Sequence, residues 1–173
     1  YVLDEQVRTV ELKAGATTEI EIPNEPKRGR IQIEKVSSAF NDITKDKKGA
    51  GLAGAEFEVF DNQNNLVETL VTDDRGFATS EYLPLGIYGI KETGHPDYYI
   101  SSNDGEMFYA DIKIHDDLIK FKVLNEPVRI ETSVEKRGNV EANAGDSMYY
   151  DFSGIENLSN VELEEFYWHD LLP

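Results

Sequence analysis

Apolar and polar residues alternate with a period of two along much of this chain. The alternation is clearest in Glu19–Ile22, Ile31–Ile33, Ala55–Phe60, Tyr88–Ile90, Phe108–Ile114 and Ile119–Val123. A period of two is the mark of half-buried β-strands, whose side chains point to opposite faces in turn. Turn-forming clusters punctuate these runs: KAGA at 13–16, DNQNN at 61–65, DDRG at 73–76, SNDG at 102–105 and HDD at 115–117. No segment reads as a capped amphipathic helix. Many short strands at this spacing predict an all-β fold, either a sandwich or a partly open barrel.

An internal echo divides the chain. Residues 20–35 run IEIPNEPKRGRIQIEK and residues 121–136 run FKVLNEPVRIETSVEK. Each holds an Asn-Glu-Pro followed by a Glu-Lys pair, so Asn24 and Lys35 correspond to Asn125 and Lys136. Two such junctions about 100 residues apart enclose an ordinary domain. Proline suits a junction because it ends a strand and stiffens the connection. Three pieces result: 1–28 as the C-terminal strands of a preceding module, 29–128 as a complete domain, and 129–173 as the N-terminal part of a following β-sandwich repeat. The alternative is that the two outer pieces fold together around an inserted middle domain.

Strand parity exposes an oddity in the middle piece. In GRIQIEKV, Ile31 and Ile33 mark the core face and Lys35 shares it. In YGIKET, Glu92 follows Tyr88 and Ile90 on one face. In IKFKVLN, Asn125 ends the row Ile119, Phe121, Val123. A lysine, a glutamate and an asparagine thus each end the inward row of a strand. Taken singly, each reads as a strand end emerging into solvent, and Lys35 with Glu92 also reads as an ordinary buried ion pair. The chemistry that uses all three is intramolecular amide formation. Desolvation favours a neutral amine and a neutral carboxylic acid. The amine is then a nucleophile, the acid can polarise the carboxamide and shuttle protons, and the fold supplies proximity. The product is an isopeptide bond between the first and last strands.

Composition narrows the partners. Among 173 residues, 17 are basic and 34 acidic, for a net charge of −17. Such a field repels nucleic acid and anionic membranes. The chain has no stretch resembling a transmembrane span, and its first residues, YVLDEQVRTVEL, lack the basic and apolar regions of a signal peptide. With no cysteine, disulfides and thiolate metal sites are excluded.

Several motifs lead nowhere. GAGLAG at 49–54 fits G-x-G-x-x-G, but a polar run precedes it and the alternating AEFEVF follows, so it reads as a hairpin loop rather than a dinucleotide site. LPLGI at 83–87 lacks the threonine and apolar tail of a sorting signal. The loop opening at Asp61 has Leu66 and Thr72 where an EF-hand needs Gly and Glu, which leaves only a weak acidic-loop calcium site open there, and His95, His115 and His169 are too scattered for zinc. FYW at 166–168 reads as core. No cofactor and no multiple-turnover active site are expected.

The middle piece resembles the Cna B-type (prealbumin-like) modules of Gram-positive surface adhesins and pilins. The resemblance rests on GRIQIEKV, LAGAEFEVFDNQNN, TDDRGFATSEYLPLGIYGIKET and FKVLNEP, in that order. Within it, YGIKETGHPDYY resembles the pilin E-box, with Tyr88, Glu92, Thr93, Pro96 and Tyr99 in the pattern positions. Ile90 stands there for the usual leucine, and His95 and Tyr98 replace the typical alanine and glycine. The resemblance implies immunoglobulin-like or prealbumin-like β-sandwich modules in tandem, and a Lys35–Asn125 isopeptide with Glu92 as the catalytic acid. It also implies an exported, cell-wall-anchored parent whose anchor lies outside this segment, with neighbouring modules of the same surface protein as partners. In such a parent, an isopeptide closing a loop of roughly 90 residues would do the work that disulfides do elsewhere.

The flanks carry weaker likenesses. Residues 1–24 resemble the end of a preceding Cna B-type module, with Asn24 the acceptor for a lysine outside this chain. Residues 132–173 resemble the start of another bacterial surface repeat through SVEK, AGDSMYY, NLSNV and HDLLP, and the chain is expected to end inside it. Lys136 has the inward parity of Lys35 but no evident acceptor. Two function classes stay open at this point: a structural stalk module, and an adhesin module binding host matrix protein or glycan through loops such as SSAFNDITKDKKGAG at 37–51.

Overall fold

The computed structural model describes residues 1–102, 105–139 and 141–169. Parts of the SNDG turn and of HDLLP lie outside them. All regular structure among the described residues is β: β1 (Arg28–Ser37), β2 (Glu56–Phe60), β3 (Leu66–Val71), β4 (Phe77–Thr79), β5 (Leu83–Pro84), β6 (Gly86–Gly94), β7 (Tyr99–Ser101), β8 (Phe108–Ile112), β9 (Leu118–Pro127), β10 (Thr132–Gly138) and β11 (Tyr150–Asn157).

Two sheets hold the middle domain. One is ordered β4-β1-β9-β7, with β5 also paired to β1, and the other is ordered β3-β2-β6-β8. The first and last strands, β1 and β9, are neighbours and run parallel from Arg30 opposite Leu118 to Ser37 opposite Asn125. The other pairings in these sheets are antiparallel. The inward rows of the two sheets meet in one core. Ile31, Ile33, Phe57, Val59, Tyr88, Ile90, Ala110 and Ile112 are buried there, with Phe108, Ile119, Phe121 and Val123 packed against them. Phe108 bridges the layers, edge-on to Phe57 at 6.5 Å and tilted on Phe121 at 4.8 Å between ring centroids.

The long connection after β1 is tied down by side chains. Asn41 is buried; its amide nitrogen donates to the Tyr98 carbonyl at 3.1 Å, and its oxygen accepts from the Ile43 and Thr44 N–H groups. The Tyr99 hydroxyl donates to Asp46 at 3.0 Å. Gly76 sits at φ +82°, and a Cβ there would stand 2.4 Å from the Lys35 carbonyl oxygen. Only glycine fits that close approach.

Outside the middle domain, the described residues hold one further pair of strands. Residues 1–27 contain no strand, and Ile20 and Ile22 are exposed. An alternating segment forms a ladder only against a partner, and these residues pair with none of the described strands. Beyond β9, strands β10 and β11 form a two-stranded antiparallel sheet. Phe166, Tyr167 and Trp168 are exposed rather than core, with the Trp168 ring 5.9 Å from that of Phe152 on β11. The linker into this hairpin is nonetheless laced. The Asn160 side chain accepts from the Arg129 N–H at 2.7 Å and donates to the Pro127 carbonyl at 2.9 Å, and the Glu131 N–H donates to Ser159 Oγ at 2.9 Å. No helix among the described residues is long and apolar enough to cross a membrane.

Candidate functional site

Lys35, Glu92 and Asn125 meet inside the sandwich. Lys35 and Asn125 point inward from the adjacent strands β1 and β9, and Glu92 points inward from β6 of the facing sheet. Their exposures are 0%, 5% and 0%. Parity places each side chain on its face, while the β1–β9 pairing brings two of the three rows side by side. The Lys35 backbone is fixed on its other edge as well. Its N–H donates to the Gly76 carbonyl at 2.7 Å, and its carbonyl accepts from the Leu52 N–H at 2.9 Å.

Lys35 Nζ donates to Glu92 Oε2 at 2.8 Å and to the Leu124 carbonyl, next to Asn125, at 3.2 Å. It also lies 5.5 Å from the centroid of the Phe57 ring, which adds a cation–π attraction. Burial holds the Lys35 amine below its ordinary value of 10.5, while the hydrogen bond and charge of Glu92 pull the other way. Glu92 Oε2 accepts a second bond, from Ser101 Oγ at 3.1 Å.

Among the described residues, three buried side-chain atoms have no hydrogen-bond partner: Glu92 Oε1, Asn125 Nδ2 and Asn125 Oδ1. Each such atom costs on the order of 1–3 kcal/mol. A folded protein rarely leaves a whole carboxamide in that condition. Chemically, the arrangement is a buried amine, a carboxyl group hydrogen-bonded to it, and an unpartnered carboxamide within one core.

Other predicted positions lie elsewhere. The E-box tyrosines are structural: Tyr88 donates to the Pro84 carbonyl at 2.9 Å, and Tyr99 anchors the loop through Asp46. Asn24 is exposed on the N-terminal segment. The Lys136 amine lies on the hairpin, 4.1 Å from the Tyr150 ring centroid. Asp61 caps its own turn by accepting from the Gln63 and Asn65 N–H groups. Two residues at the site were missed. Phe57 had a signal, since its parity in AEFEVF is inward, and the β2–β6 register sets it opposite Glu92. Ser101 had none, because a three-residue strand carries too little periodicity to read.

Residues 29–135 match the sequence profile of a family described as SpaA, a prealbumin-like fold domain. No curated protein matches the chain. Among solved structures, the Bacillus anthracis TIE protein aligns at 26% identity over 92% of this chain and 31% of its own, with a TM-score of 0.58. BcpA, the major pilin subunit of Bacillus cereus, aligns at 23% identity over 62% of this chain and 31% of its own, with a TM-score of 0.49. The full-length major pilin SpaD from Corynebacterium diphtheriae aligns at 17% identity over 63% and 32%, with a TM-score of 0.45. The chain thus spans less than a third of the length of each. With its profile match covering more than half of its residues, the chain belongs to the SpaA prealbumin-like fold domain family.

Proposed function

We propose that this SpaA prealbumin-like chain is a structural backbone segment of a Gram-positive cell-surface or pilus protein, made rigid by an isopeptide bond that it forms itself between Lys35 and Asn125. The observation that carries the reading is the buried Lys35–Glu92 pair beside an Asn125 carboxamide with both polar atoms unpartnered. Bond formation removes those orphans: Nδ2 departs, and Oδ1 gains the Glu92 acid as a donor.

The steps balance. The Lys35 ammonium, whose hold on its proton burial weakens, passes that proton along its hydrogen bond to the Glu92 carboxylate. The neutral amine attacks Cγ of Asn125 while the Glu92 acid donates to Oδ1, giving a tetrahedral centre. The excess proton on Nζ travels through the Glu92 carboxyl to Nδ2. The Cγ–Nδ2 bond breaks, ammonia leaves, and the carbonyl re-forms as the hydroxyl proton returns to Glu92. One amine and one primary amide become one secondary amide and one ammonia. The reaction runs once per chain, so the protein is no turnover enzyme.

Topology supports a role under tension. The domain enters at the start of β1 and leaves at the end of β9, and these strands are parallel neighbours. Pulling on the two ends shears that ladder. A Lys35–Asn125 link would route the force from strand to strand past the residues between them. On this reading the segments 1–28 and 129–173 belong to neighbouring modules, and the parent is extracellular and wall-anchored.

The test is the intact mass of the purified chain with peptide mapping. The expected result is a deficit of one ammonia, with Lys35 and Asn125 recovered in one branched peptide. A full mass after prolonged incubation of the folded protein overturns the reading.

A further inference from the structure

Both donors that reach the Glu92 carboxylate bind the same oxygen. Oε2 accepts from Lys35 Nζ at 2.8 Å and from Ser101 Oγ at 3.1 Å, whereas Oε1 accepts nothing. Ser101 lies on β7, which flanks β9 on the side away from β1, and its register partner across that ladder is Asn125. The serine therefore stands beside the carboxamide and bonds the carboxylate from the opposite sheet.

We propose that Ser101 is a positioning residue for the cross-linking reaction: its hydroxyl fixes the Glu92 carboxyl so that Oε2 serves the amine and Oε1 is left for the Asn125 carboxamide. This rests on the isopeptide reading above. A carboxylic acid assists attack on an amide most directly when its two oxygens face different partners. One oxygen accepts the proton of the attacking nitrogen while the O–H on the other donates to the amide oxygen; a proton leaves one oxygen as another arrives at its neighbour, and the group ends as an acid again. A carboxylate bound to the ammonium alone can rotate about its terminal torsion, which is broad and roughly two-fold. A second donor on the same oxygen, held on a paired strand, fixes that torsion. The gain is orientation, which a reaction between groups held in one core depends on.

The experiment follows the reaction from synthesis. Full-length chains are made in a short cell-free pulse, quenched at intervals in acid denaturant, and weighed for loss of ammonia. Ser101→Thr keeps a hydroxyl and Ser101→Val keeps the shape of threonine without it. Ser101→Ala removes both. Ser101→Thr should react within about twofold of wild type, and the Val and Ala chains about tenfold more slowly, as one charge-assisted hydrogen bond would allow. The same substitutions in an Asn125→Ala background, where no bond can form, should lower the melting temperature of the Val chain below that of the Thr chain by no more than one hydrogen bond is worth and leave both folded at the temperature of the pulse. A Val chain that loses ammonia as fast as the Thr chain overturns this proposal and leaves the isopeptide reading standing. A wild-type chain that never loses ammonia overturns both.

Discussion

Removing the Lys35–Asn125 bond without leaving a stray charge gives the cleanest measure of what it contributes. Lys35→Met alone would strand the Glu92 carboxylate in the core, and Glu92→Gln alone would strand the ammonium. Breaking one side of a buried pair costs about 3–5 kcal/mol by itself. The double variant Lys35→Met/Glu92→Gln removes both charges at nearly constant volume, in a core where both side chains are buried. The bond closes a loop of roughly 90 residues, and the chain-entropy relation assigns such a closure about 4.6 kcal/mol. At about 4–8 °C per kcal/mol for a domain of this size, the linkage alone predicts a fall in Tm of about 20–35 °C. Calorimetry measures the fall, and urea titration adds an independent check. An unfolded chain freed of its cross-link exposes more surface, so the m-value must rise as stability drops. Mass spectrometry first establishes that the wild type carries the bond. Given the bond, Tm values within about 5 °C of each other and equal m-values would refute the loop-closure reasoning.

Asn125→Ala leaves the Lys35 amine free in its buried place, with its folded-state pKa depressed below 10.5 by burial. Between the depressed value and 10.5 the unfolded chain binds the proton and the folded chain does not, so this variant gains stability as pH rises through that interval. The cross-linked wild type lacks this contribution because an amide nitrogen does not titrate there, and paired urea titrations across the range should show the difference in slope; a difference of opposite sign sinks the argument. Gly76→Ala places a Cβ 2.4 Å from the Lys35 carbonyl oxygen at a φ of +82°. It should cost at least about 2 kcal/mol in urea unfolding of the Asn125→Ala background, and a neutral result would mean that β1 can shift freely. Asn160→Ala removes the bonds to Arg129 N–H and the Pro127 carbonyl. Amide exchange at Arg129 should then accelerate about fivefold, as expected for loss of a hydrogen bond worth about 1 kcal/mol, and unchanged exchange would show that the linker is held by other means.

Strand parity is a local property. Two residues of the same strand share a face because of backbone geometry, so a period of two in the sequence was enough to aim Lys35, Glu92 and Asn125 inward and to predict an all-β fold. The two copies of the Asn-Glu-Pro echo fall just before β1 begins at Arg28 and where β9 ends at Pro127. Pairing order is not local. No pattern in β1 or β9 says that these strands lie parallel and adjacent, because hydrogen bonds between strands are made by backbone groups that every sequence shares; the bare parity argument could bring Lys35 and Asn125 to one core but not to one ladder. Ser101 was invisible for a related reason, since its role comes from a register with Asn125 and a reach across the sandwich to Glu92. The same dependence on partners explains the alternating residues 19–22, which have strand character in sequence and no strand in the fold. Side-chain direction was therefore written in the chain, while adjacency, and with it the unpartnered state of Asn125 and the double hold on Glu92 Oε2, was decided only when the two sheets closed over one another.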